Sequence, residues 1–150
     1  MSDGLYYDDL AVGQVLRSPR AIRVERERLI SFAREFDPQP AHLSDAAAAA
    51  SQFGELVASG WHTGCITMRL TTETFSFAAG GLGAGIEKMN WLRPVKPGDE
   101  LRVEITVVAM RPSHSRPDRG LVTFRTVTLN QNDEAVQEMT TNVLAARRPA

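Results

Sequence analysis

The sequence has a single cysteine in 150 residues, Cys65. One thiol excludes an internal disulfide and a thiolate metal cluster. Long hydrophobic runs are also missing; none approaches the ~18 apolar residues that cross a bilayer. The acidic opening "MSDGLYYDDLAVGQ" lacks the apolar segment of a secretory signal. An excess of one charge is missing too. Lys and Arg number 17 against 18 Asp and Glu, a formal net charge of -1. That balance gives no support to a nucleic-acid or anionic-membrane partner. "RRP" near the end (Arg147, Arg148, Pro149) reads as a solvated tail. The three histidines, His42, His62 and His114, have no metal-ligand spacing. The glycine-rich "GGLGAG" (Gly80 to Gly85) does not precede a convincing helix, so it is not read as a phosphate loop. Repeats and long linkers are absent. What remains is 43% hydrophobic and 23% charged, an ordinary globular mixture of a length that suits one core. The expectation is a soluble cytoplasmic protein with one domain over residues 1–150.

The elements fall in a clear order. A first strand is expected near Gly13 to Val24. "VERERLISFAREF" (Val24 to Phe36) has Leu29, Ala33 and Phe36 at helical spacing and charges on the other side. That helix must end near Asp37, because a residue before proline is pushed from the α region. "DAAAAAS" (Asp45 to Ser51) is a short alanine helix that Ser44 or Asp45 can cap. "SGWHTGCITMRLTTETFSF" (Ser59 to Phe77) is apolar almost all round, with a narrow polar stripe at Arg69 and Glu73. Such a helix is expected to be buried. From Gly80 the texture turns to β. Leu101, Val103, Ile105 and Val107 alternate with polar residues at period two. "RPSHSRPDRG" (Arg111 to Gly120) is a loop in which His114 is solvated. Strands follow at "LVTFRTVTLN" and "EAVQEMTTNVLA", joined by the turn "NQND". Segregated helices and strands argue an α+β fold with an antiparallel sheet. A long apolar helix needs a curved sheet around it, and the exposed edges of such a sheet favour oligomers.

Two stretches could carry chemistry. In "FDPQPAH", Pro38 and Pro40 stiffen the chain between Asp37 and His42. A rigid loop can hold a carboxylate and an imidazole at the separation of one water or one substrate proton. An unperturbed imidazole titrates near ~6.5 and exchanges protons at neutral pH. The alternative is a turn residue that ends the helix and a histidine on a surface loop. In "VASGWHTG", Ser59 can cap the long helix, and Gly60 leaves the backbone uncovered. Free N–H groups at a helix start can hold a developing oxyanion. The alternative there is a plain cap with a glycine for close packing. His62 is read as a packing residue or one acting behind the site. Cys65 is read as a buried small hydrophobe rather than a nucleophile.

The ordered set "DPQPAH", an alanine helix, "FGELVASGWHT" and "NWLRPVKPGDEL" resembles the MaoC-like dehydratases. These are the (R)-specific enoyl-CoA hydratase group of hot-dog-fold proteins. The resemblance runs from about Tyr6 to Ala146. It implies a single hot-dog domain, an antiparallel sheet wrapped around a long central helix, and pairing into homodimers or higher homo-oligomers. It implies that Asp37 and His42 are the catalytic pair that holds and activates one water. It also places Gly60, with Ser59, beside the thioester carbonyl. Two departures from the family pattern stand out. Ala58-Ser59-Gly60-Trp61 replaces the common Ala-His-Gly-Met, and Cys65 is the nearest match to a serine that some members use to hold the pair. Trp61 and His62 put bulk where an acyl tail would run.

The activity implied is reversible hydration of a trans-2-enoyl thioester, in fatty-acid metabolism. His42 takes a proton from water, and Asp37 orients the water and supplies a proton to C2. No metal and no separate cofactor are expected, since coenzyme A or an acyl-carrier protein arrives as part of the substrate. The partner is the acyl-thioester, with neither nucleic acid nor membrane. The alternatives are a hot-dog acyl-CoA thioesterase and a non-catalytic acyl-thioester-binding protein.

Overall fold

The computed structural model describes residues 4–150. The first expected strand is two short ones, β1 (Val15–Arg17) and β2 (Ile22–Arg23), both antiparallel to the later strand Glu100–Pro112. The break falls at Ser18-Pro19, where proline has no N–H to offer a ladder. Ser18 bridges it, its N–H donating to the Val103 carbonyl and its hydroxyl accepting from the Val103 N–H. Then come α1 (Arg26–Phe36), a 3-10 turn at Pro40–His42, α2 (Asp45–Ala49) capped by the Ser44 hydroxyl, and α3 (Gly60–Thr74). Four long strands follow: β3 (Leu82–Trp91), β4 (Glu100–Pro112), β5 (Arg119–Leu129) and β6 (Ala135–Ala146). The sheet is antiparallel in the order β1-β4-β5-β6-β3, so β3 is an edge strand. β4 runs further than its alternation alone indicates. Arg111 and Pro112 still pair with Leu121 and Gly120, which shortens the expected loop.

Period-two alternation puts Leu101, Val103, Ile105 and Val107 of β4 on the inner face, with Val122 and Phe124 of β5 beside them. Ile66 and Leu70 of α3 pack into that face. Below the helix lies a buried polar chain. Thr67 and Thr128 share a hydrogen bond of 2.6 Å, and Gln137 donates to Thr67 at 3.2 Å.

The helix itself differs from the expectation. Its buried residues, Thr63, Ile66, Thr67 and Leu70, form one stripe at helical spacing. The opposite stripe, Trp61, Cys65 and Met68, is exposed. The sheet covers one side of α3, and β3 stands too far out at the edge to cover the other; nine of its ten residues are exposed. Cys65 is therefore not the buried thiol expected of it. The C-terminal tail also departs from a freely solvated one. Arg147 pairs with Asp8 at 3.0 Å, Arg148 pairs with Asp9, and its guanidinium lies 4.8 Å over the Tyr6 ring.

Candidate active site

The local sequence builds the Asp37–His42 loop directly. Asp37 closes α1, its N–H donating to the Ala33 carbonyl at 2.9 Å. Pro40 starts the 3-10 turn, and His42 ends it. The returning segment is tied down beside it: the Val57 N–H donates to the Ala41 carbonyl at 3.0 Å and the Ala58 N–H to the Val95 carbonyl at 2.8 Å. Loop and helix start thus become neighbours across 22 residues of sequence.

His42 is buried, and its Nδ1 lies 2.7 Å from the Val57 carbonyl. A carbonyl only accepts, so Nδ1 carries the hydrogen and a neutral ring points an Nε2 lone pair elsewhere. It points at Asp37, 3.5 Å from Oδ2. The Ser59 hydroxyl donates to Asp37 Oδ2 at 2.6 Å, and the Gln39 amide donates to Oδ1 at 2.6 Å. Those two hydrogen bonds, Ser59 first, hold the Asp37 carboxyl below its usual value against the opposing effect of burial; the His42 ring lowers it further whenever that ring is charged. Asp37 is therefore ionised at neutral pH. With the His42 ring neutral, an anionic oxygen and an imidazole lone pair face each other with no proton of their own between them. A water that donates one O–H to each fits this arrangement.

The helix start is narrower than its sequence indicates. Ser59 is fully buried, and its Oγ accepts from the Trp61 N–H at 3.2 Å. The His62 and Thr63 N–H groups donate to the Ser59 carbonyl. Gly60 is left as the helix residue whose N–H makes no hydrogen bond within the described chain. Above it lies Trp91, whose indole N–H is 3.0 Å from both the Gly60 carbonyl and Gln137 Oε1. Asp37, His42, Gly60, Trp61 and Trp91 line one cavity of about 400 Å³.

Of the residues singled out in the sequence, Asp37, His42, Ser59 and Gly60 come together. His62 and Cys65 do not join them. His62 stacks on Phe32, centroids 4.8 Å apart and rings 11° from parallel, with its Nδ1 buried and unpartnered. Cys65 faces the exposed side of α3, so the hydroxyl that holds Asp37 is Ser59 and not a group at position 65. Gln39 and Trp91 were not singled out. Gln39 lay inside the quoted motif, whereas no spacing rule marks Trp91, 31 residues from Gly60. Among the described residues, no group of three His, Cys, Asp or Glu side chains could hold a metal ion. No helix there is long and apolar enough to cross a membrane.

Two outcomes follow from these contacts. Ser59→Ala removes the first cause of the low Asp37 pKa, so the Asp37 carboxyl should titrate at higher pH than in the parent, read by NMR. The lost cap should also lower stability by about 0.5–2 kcal/mol, read by denaturant titration. Part of that loss is pH-dependent. A depressed carboxyl stabilises the fold above its unfolded pKa of ~3.9, and this is lost as pH falls through the lower folded value. His62 acts in the same direction, at higher pH. Burial first, then Arg28, pushes its pKa down from 6.5. The unfolded chain thus binds that proton more readily, and stability falls as pH drops below about 6.5. His62→Phe should remove this acid-side loss in melts at pH 5 to 8; an unchanged pH slope would contradict it.

An antiparallel sheet packed on a central helix, with this loop over the helix start, defines a class. A family model described as "MaoC like domain" matches residues 9–132, and the chain belongs to that family. The fold is the expected hot-dog architecture. Its backbone superposes on the MaoC-like dehydratase of Rhodospirillum rubrum with a TM-score of 0.92 at 53% identity, covering 98% of this chain and all of that one (100%). The unliganded (R)-hydratase PhaJ1 of Pseudomonas aeruginosa gives 0.78 at 28% identity, with 97% and 88% covered. The Bacillus subtilis (strain 168) protein YdeM is 32% identical over 142 residues, covering 93% of this chain and 98% of that protein.

Proposed function

We propose that this protein is a hydro-lyase that reversibly adds water to trans-2-enoyl thioesters, giving (R)-3-hydroxyacyl thioesters. The observation that carries the reading is the facing of ionised Asp37 and the His42 Nε2 lone pair at 3.5 Å, beside a free Gly60 N–H. In this reading one water donates to both side chains. His42 Nε2 takes one proton as the water oxygen attacks C3. The electron pair moves through C2 to the thioester oxygen, which the Gly60 N–H stabilises as an enolate. The enolate then takes the proton back from His42 at C2, and the neutral ring is restored. Asp37 holds the remaining O–H throughout. Its low pKa favours His42 over Asp37 as the source of the C2 proton, a change from the role expected for the aspartate.

The (R) sense is supported by the likeness to the (R)-hydratase. Coenzyme A or a carrier protein supplies the thiol as part of the substrate. We further propose a homodimer. β3 is a ten-residue edge strand with exposed Leu82 and Ile86. Such an edge favours pairing with a second copy across a two-fold axis. Product analysis tests the reaction. Recovery of a 3-hydroxyacyl thioester with its thioester bond intact supports hydration; release of free thiol at a matching rate would point instead to a thioesterase.

A further inference from the structure

A second, larger cavity of about 730 Å³ runs along the exposed side of α3, between that helix and β3. Its lining is mostly apolar and includes Cys65, Met68, Ile86 and Met89. Among the described residues, one side chain lines both this cavity and the pocket of Asp37 and His42, and it is Trp61. Cys65 and Met68 follow Trp61 on the same helix face, one and two turns on. The Trp61 ring stands edge-on to Trp91, centroids 5.3 Å apart at 81°. Trp91 is in turn fixed by its indole bonds to Gly60 and Gln137. Trp61 therefore has a rigid neighbour to lean on, and it lies where the two spaces adjoin.

We propose that Trp61 is a specificity-determining residue that walls the catalytic pocket from the apolar cavity and so holds the protein to short acyl chains. This rests on the proposed reading of the site. With the thioester carbonyl at Gly60 and C3 at His42, a tail beyond the fourth carbon must pass Trp61 or turn out into water. Removing the ring opens a continuous apolar path along Cys65 and Met68. The occupant of that path is the hydrocarbon tail of the substrate, because the cavity offers apolar contact and no charged group to bind.

The test compares parent, Trp61→Phe and Trp61→Ala on four-carbon and ten-carbon trans-2-enoyl-CoA. The readout is the ratio of kcat/KM for the long chain to that for the short. Trp61→Ala should raise this ratio by about tenfold or more, the scale of a few methylenes gained in an apolar pocket. Trp61→Phe, which keeps an aromatic wall, should fall between. A parallel loss on both substrates, or a parent that already uses both equally, overturns the proposal. If no variant turns over either thioester, the reading of the site fails, and the wall is judged by binding. Calorimetry with saturated decanoyl-CoA should then show tighter binding to Trp61→Ala than to the parent, and equal affinity overturns it.

Discussion

His42→Ala and Asp37→Asn should each lower enoyl-thioester turnover by about 10²–10⁴-fold, the usual contribution of a positioned acid–base group. The two losses have different causes. His42→Ala removes the lone pair that takes the proton of water. It also strips the Val57 carbonyl of its buried donor, a stability cost of about 1–3 kcal/mol. Asp37→Asn keeps the shape but not the charge. An amide accepts at one atom only, whereas Asp37 accepts from Gln39 at Oδ1 and from Ser59 at Oδ2. The variant should lose one of these hydrogen bonds, a stability cost of about 0.5–1.5 kcal/mol, and lose far more activity than that cost explains. Turnover measured beside a thermal melt separates the two effects. Activity retained in both variants would leave the Pro-stiffened loop as a structural turn.

Gly60→Ala should cost both stability and activity. A Cβ built there lies 2.5 Å from Trp91 Cε2 and 2.8 Å from Cδ2 and Cζ2. A flexible side chain could step aside, but this ring is held by two indole hydrogen bonds. Moving it releases the Gln137 amide oxygen, in a residue with 0% exposure, from a 3.0 Å partner. Overpacking of this kind costs about 1–3 kcal/mol, and an orphaned buried acceptor costs a similar amount. The melting temperature should fall by several degrees. Activity should fall further than stability explains, because the displaced backbone carries the Gly60 N–H. Trp91→Ala in the same chain should relieve the collision, so the double variant should be more stable than the sum of the singles allows. Strict additivity would contradict the contact.

The pair and the helix order were legible because each depends on neighbours in the chain. Pro38 and Pro40 mark a stiff loop, and the period-two run from Leu101 to Val107 marks a strand wherever it folds. Ser44 and Ser59 read as caps for the same reason, since a cap acts within three residues. What joins distant residues was not legible. The Ser59–Asp37 bond spans 22 residues and the Trp91–Gly60 contact 31. The two faces of α3 gave a definite misreading. Cys65 and Met68 are as apolar as Ile66 and Leu70, and no periodicity says which face the sheet covers. Topology decides it, because the covering strand on the Cys65 side is an edge. The partners of the solvated tail were hidden for the same reason; Asp8 and Asp9, far away in sequence, meet Arg147 and Arg148.

The most direct measurement follows the conjugated enoyl absorbance of crotonyl-CoA with the purified parent protein, beside Asp37→Asn at equal concentration. The account predicts that the parent bleaches the absorbance toward an equilibrium, that 3-hydroxybutyryl-CoA approaches the same equilibrium from the other side, and that Asp37→Asn does neither at a comparable rate. Equal rates for parent and variant, or loss of absorbance matched by free coenzyme A, would contradict it.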